Sequence, residues 1–134
     1  MKMARIEVGE PLPALVIESV DEEKMKLMTA ILRDPNPIHF DADRVRELGM
    51  GNRVINQGPS NMSYLLNLVT RWAGGISSLR TAEIRFLGNV FGGDRVECSG
   101  RVAEVDRAAG LVTLDVEAHV GERPVLKGTV VVSA

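Results

Sequence analysis

The stretch RDPNPIHFD, Arg33 to Asp41, sets an acid and a histidine five positions apart, Asp34 and His39, with Pro35 and Pro37 between them. Each proline fixes its own φ and removes a backbone donor, so the chain between the two side chains is stiff. Asn36 can hydrogen-bond nearby amides and hold the turn. Ile38 and Phe40 are the apolar residues expected to pin the stretch to the core. A carboxylate and an imidazole held together can share one water, take a proton from it and return a proton elsewhere, which is general acid–base chemistry. Stiffness suits such a pair, because small misplacements of catalytic groups cost large factors in rate. Spacing alone, however, favours a helix-stop turn with an incidental histidine over a catalytic pair.

Other chemistries find less support. One cysteine and two distant histidines are too few for a metal site, and no metal or cofactor is expected. There is no GxSxG, and Cys98 falls on the apolar face of an alternating stretch, so no nucleophile suggests itself. His119 lies on a polar strand face and reads as a surface residue. The 16 basic and 18 acidic residues are scattered and leave a net charge of −2. That argues against a nucleic-acid or anionic-membrane surface. No apolar run approaches the roughly 20 residues a membrane helix needs. The start, MKMARIEVGE, lacks a signal-peptide core, so a cytoplasmic protein without an internal disulfide is expected.

The elements that must position the pair can be read from periodicity. The 134 residues suit one domain, 1–134. Residues 13–19 read as a short strand. Asp21 caps a helix over 22–33, with Met25, Met28, Ile31 and Leu32 at helical spacing. Pro35 pushes Asp34 out of the helical region and ends it. Asp41 or Asp43 caps a second, short helix with Val45 and Leu48 inward and Gly49 at its end. A glycine-rich loop, 49–59, leads into a largely buried helix over 60–73, with Met62, Leu65, Leu66, Val69 and Trp72 on one face. After residue 77 everything alternates. Ala82, Ile84 and Phe86 share one face, as do Val96, Cys98 and Val102, and Val112, Leu114, Val116, Ala118 and Val120. Strict alternation implies an antiparallel sheet covered on one face, and the buried helix is the natural cover. The layout is α+β.

The segment DPNPIHFD resembles the D-x-N-P-[aliphatic]-H signature of MaoC-like, (R)-specific enoyl-CoA hydratases. RVINQGPSNMSYLLNL resembles that family's loop and glycine leading into its central helix. IRFLGNVFGGDRVECSGRVAEV resembles its next strand, turn and strand, with the GD turn at Gly93-Asp94. Order and spacing agree over roughly residues 5–132. The resemblance implies a hot-dog fold, a curved antiparallel sheet wrapped around one long central helix. It implies that Asp34 and His39 activate a water that adds to the β-carbon of a trans-2-enoyl thioester. A proton would reach the α-carbon on the same face, giving an (R)-3-hydroxyacyl-CoA, and the reverse reaction is a dehydration. Gly58 would offer its backbone N–H to the thioester oxygen, at a helix N-terminus that suits negative charge. Asn36 would brace the turn.

The chain departs from the family pattern at several places. Leu32-Arg33 stand where a small residue and glycine usually precede the acid, Gln57 replaces a common histidine before the glycine, and Asn89 replaces a proline before the GD turn. A serine often found two turns into the central helix aligns with Leu66, leaving Ser63 and Asn67 as the polar candidates for substrate binding. The implied partners are an acyl-CoA substrate and a second hot-dog chain, in a homodimer or a heterodimer, because an open sheet edge favours pairing. Within a heteromeric dehydratase this chain would be the catalytic member. An acyl-CoA thioesterase is the remaining alternative. In this fold such enzymes typically carry a carboxylate on the central helix, and residues 59–73 contain no Asp or Glu.

Overall fold

The computed structural model of the chain describes residues 5–133. Strand β1 (Leu15–Ile17) is followed by helices α1 (Glu22–Leu32), α2 (Ala42–Glu47) and α3 (Gly58–Ala73), then by strands β2 (Leu79–Phe86), β3 (Val96–Asp106), β4 (Leu111–Val120) and β5 (Arg123–Ser133). The five strands form one sheet in the order β1-β3-β4-β5-β2, antiparallel at every pairing. Long β3, β4 and β5 form its centre; short β1 and the later-paired β2 are its edges.

The caps follow from sequence. Asp21 accepts the backbone N–H groups of Glu23 at 2.8 Å and Lys24 at 3.4 Å, which starts α1. Asp41, rather than Asp43, caps α2 in the same way. Such caps contribute about 1 kcal/mol each. Helix α3 begins two residues earlier than its apolar pattern suggests, because Gly58 and Pro59 extend it to Gln57 as cap. Pro at the first turn loses no needed donor.

The core lies between α3 and the sheet. Leu65, Leu68, Val69 and Ala73 of α3 pack with Val96, Cys98 and Val102 of β3, Val112, Leu114, Val116 and Ala118 of β4, and Leu126, Val130 and Val132 of β5. Met62, Leu66 and Trp72 flank this line half-buried. A register shift between Val102 and Glu104 resets the alternation, so Val105 returns to the core side. A second, between Ala118 and His119, leaves Val125 and Leu126 both buried. Ile31 and Leu32 of α1 are 62% and 38% exposed and Phe86 of β2 is 54% exposed, against their apolar patterns, and two more such residues lie in the turn segments. Leu48 is 48% exposed and Phe40 is 43% exposed. In each case the neighbouring polar segment is held by backbone hydrogen bonds, and burial of Val45 and His39 does the anchoring instead.

Gly100, Val116, Gly128 and Ile84 form one row across four strands. A Cβ on Gly128 would stand 2.1 Å from the Glu83 carbonyl oxygen. Backbone therefore lies where a side chain would go, and only glycine lets β2 pack onto β5 this closely. A Cβ on Gly100 would meet Leu12 at 3.1 Å. A groove of about 1200 Å³ lies along this row, bordered by Met62 and Leu12; neither Asp34 nor His39 lines it.

Two expectations follow from this packing. Gly128→Ala is expected to lower stability by about 1–3 kcal/mol, read as a lower urea midpoint at unchanged slope. Cys98 is buried and its thiol is pushed up to about 12, by burial first and by the Glu97 charge second. Iodoacetamide should therefore leave native Cys98 unmodified at neutral pH and label it only on unfolding.

Candidate active site

The turn that carries the pair is built by local hydrogen bonds. Helix α1 ends at Arg33, the one non-glycine with positive φ among the described residues, at 52°. This left-handed conformation costs roughly 1–2 kcal/mol for a residue with a Cβ. It reverses the chain so that the Asp34 N–H bonds to the Thr29 carbonyl at 3.0 Å. The Asp34 carboxylate then accepts the Asn36 N–H on Oδ1 at 3.1 Å. Asn36 Oδ1 accepts the Ile38 N–H at 3.3 Å and caps a single 3-10 turn, Pro37–His39. In D-P-N-P-I-H the acid and the amide thus bond the turn, and the prolines set its backbone angles.

His39 sits at the end of that turn, and its side chain is 8% exposed, against 39% for Asp34. Its Nδ1 lies 2.6 Å from the Ile55 carbonyl oxygen. A carbonyl can only accept, so Nδ1 carries the proton and the neutral ring presents a lone pair at Nε2. Nε2 lies 3.2 Å from Asp34 Oδ2. Two acceptors face one another there and need a shared donor: a proton on the ring, or the O–H groups of a water. The imidazole is fixed and dry, while the carboxylate opens to solvent. The site therefore has a closed wall and an accessible side.

The loop behind His39 is buried from Val54 to Gln57. Its backbone is satisfied by Ile38 and by the chain near Phe91. The Ile55 N–H bonds to Ile38 O at 2.8 Å, Asn56 N–H to Val90 O at 2.7 Å, and Gly92 N–H to Val54 O at 2.9 Å. Asp94, in the GD turn, braces this arrangement. It is buried, accepts the Phe91 N–H at 2.8 Å, and pairs with Arg53 at 2.8 Å. Arg53 also donates to Gly92 O at 3.1 Å and lies over the Phe91 ring, 5.1 Å from its centroid. A buried acid is stable only when paired and bonded in this way.

Gly58 opens α3, where its N–H has no helical acceptor. No protein group takes that N–H among the described residues. Phe86 closes over the glycine: its ring edge lies 3.4 Å from where a Cβ would be, and the ring is 54% exposed. Ser63 donates to the Ser60 carbonyl at 2.6 Å, and Asn67 is exposed further along α3. Neither forms a hydrogen bond with Asp34 or His39.

Periodicity gave no sign of a buried polar cluster at the start of α3. Asn56 donates to Asn61 Oδ1 at 2.8 Å and to the Tyr64 hydroxyl at 3.1 Å. Burial raises the Tyr64 hydroxyl above the usual phenol range. Asn61 and Tyr64 at i and i+3 were a usable signal, since they place polar groups beside an apolar helix face. Among the described residues no three of His, Cys, Asp and Glu converge to hold a metal ion.

Residues 5–122 match the MaoC like domain. The fold is similar to that of the (R)-hydratase from A. caviae involved in PHA biosynthesis, with a TM-score of 0.86, 22% identity, and 96% of this chain and 97% of that one covered. It is also similar to a chain of the ChsH1–ChsH2 complex from Mycobacterium tuberculosis, at a TM-score of 0.83, 25% identity, and 95% and 97% coverage. Protein af1124 from Archaeoglobus fulgidus gives 0.80, 26% identity, and 96% and 79% coverage. No curated protein matches the sequence. A curved antiparallel sheet around a central helix is the hot-dog fold of these structures. With its match running from the first described residue to the turn before β5, this chain belongs to the family of MaoC like domains.

Proposed function

We propose that the chain is an (R)-specific enoyl-CoA hydratase, equally a 3-hydroxyacyl-CoA dehydratase, with Asp34 and His39 as its catalytic residues. The observation that carries this reading is the contact of Asp34 Oδ2 with His39 Nε2 at 3.2 Å while Nδ1 is committed to Ile55. A water donating one O–H to the carboxylate and the other to Nε2 would be held with an oxygen lone pair facing away from the pair. That lone pair attacks the β-carbon of the enoyl thioester. The pair takes one proton from the water and returns one to the α-carbon, so hydrogen and hydroxyl add to the same face. The Gly58 N–H, at the positive end of α3, takes the thioester oxygen as it gains charge. Asn36 holds the turn. Ser63 and Asn67 supply polar contacts along the helix for the acyl-thioester. A thioesterase is disfavoured, since α3, GPSNMSYLLNLVTRWA, carries no carboxylate.

The likeness to a chain of the ChsH1–ChsH2 complex supports a second reading of assembly, in which a different hot-dog chain is the partner. Ile76 is 77% exposed and Leu87 50% exposed at the two ends of edge strand β2, which suits pairing of that edge with a second chain. The mass of the purified particle separates the cases. An active homodimer disposes of an obligate second chain.

Wild-type protein is expected to remove the enoyl-thioester absorbance of crotonyl-CoA or a medium-chain trans-2-enoyl-CoA. Asp34→Asn should fold normally and lose this activity by roughly 10²–10⁴-fold; near-normal turnover would refute its role. His39→Gln should lose a similar factor. Because the two act on one water, the double variant should be little worse than either single one, whereas fully additive losses would argue against a shared water.

A further inference from the structure

Gln57 stands directly before Gly58, at the cap of α3, and is 0% exposed. Its Nε2 donates to the Met25 carbonyl at 2.8 Å and to Thr29 Oγ1 at 3.2 Å, both on α1. A carbonyl oxygen can only accept, so the nitrogen of the amide must face it, which fixes the amide's orientation. Thr29 is also the residue whose carbonyl takes the Asp34 N–H, at 3.0 Å. Two residues earlier on the same loop, Ile55 holds the His39 ring at 2.6 Å. One short segment, Ile55 to Gly58, therefore touches the base of each proposed group. Ile55 fixes the imidazole, Gln57 fixes the helix turn that delivers the carboxylate, and Gly58 presents its own N–H.

Gln57 makes little sense as a device for stability. Its Oε1 is buried with no protein partner among the described residues, and a buried acceptor left unmet is destabilising. Met25 O is already placed to accept from the next turn of α1, so the amide is not needed to satisfy it. A leucine would fill similar space without the cost. What the amide adds is a fixed separation between the Met25–Thr29 turn of α1 and the start of α3.

We infer that Gln57 is a positioning residue: its amide sets the distance between the Asp34–His39 pair and the Gly58 N–H. The kinetic consequence rests on the hydratase reading; the geometric one does not. The variants are Gln57→Leu and Gln57→Met, which delete the amide with little change of volume, and Gln57→His, which can still donate to Met25 O. Two readouts are taken on each. The first is kcat and KM for crotonyl-CoA hydration. The second is the downfield proton resonance of His39 Nδ1–H, assigned by its loss in His39→Gln, which needs no turnover.

Gln57→Leu and Gln57→Met are expected to lower kcat about tenfold or more with KM changed much less. Both should shift or broaden the His39 proton, while Gln57→His restores both readouts towards wild type. A loss of thermal stability with kcat and the His39 proton unchanged in the folded variants would overturn the inference, as would failure of Gln57→His to rescue where Gln57→Leu has an effect. If the wild type proves inert toward enoyl thioesters, the resonance decides alone. A shift in Gln57→Leu then upholds the positioning role while the hydratase reading falls, and an unchanged resonance overturns it.

Discussion

The site depends on one hydrogen bond, from His39 Nδ1 to the Ile55 carbonyl at 2.6 Å. Without it the imidazole could carry its proton on either nitrogen and rotate about its side-chain bonds. With it, the lone pair of the neutral ring is committed to the side facing Asp34. The bond joins two segments sixteen residues apart, and its short length in a buried setting makes it costly to break. The surrounding loop keeps the Ile55 carbonyl where it is.

Asp94 shows how that loop is kept. The acid is buried in the turn before β3, and it bonds both the Phe91 N–H and the Arg53 guanidinium. Arg53 immediately precedes the buried run Val54–Gln57, so one carboxylate links the GD turn to the stretch that holds His39 and precedes Gly58. The same turn reaches β1's flank, since the Val20 N–H bonds to Asp94 O at 2.9 Å. Leaving a buried charge without its partner costs about 3–5 kcal/mol. The rigidity of the site is thus built from polar groups in a shell outside the reacting pair, with the apolar core beneath them.

The sheet contributes shape. Glycines at 100 and 128 open the row that runs under α3, and bulges on β3 and β5 shift which residues face inward. Close backbone approach at Gly128 lets β2 come to the edge beside β5, which brings Phe86 against Gly58. An aromatic ring that alternation alone would bury is therefore a half-open wall beside the helix N-terminus. Exposed Leu48 and Phe40 have a different origin. Each lies in a segment whose backbone bonds, and not its own apolar side chain, fix its place.

Much was legible from the chain alone. Alternation after residue 77 determined the antiparallel strands, because a sheet with one covered face must alternate. Asp21, Pro35 and Gly74 bounded the helices for local steric and hydrogen-bonding reasons. The D-P-N-P-I-H turn was readable because its bonds lie within a few residues. Tertiary structure alone decided the rest. The tautomer of His39, the clamp at Asp94, the bridge from Gln57 to α1 and the polar cluster at Asn56, Asn61 and Tyr64 mostly join residues distant in sequence. No local pattern encodes such pairings, since a carbonyl oxygen carries the same chemistry at every residue. Only folding chooses which one faces the ring.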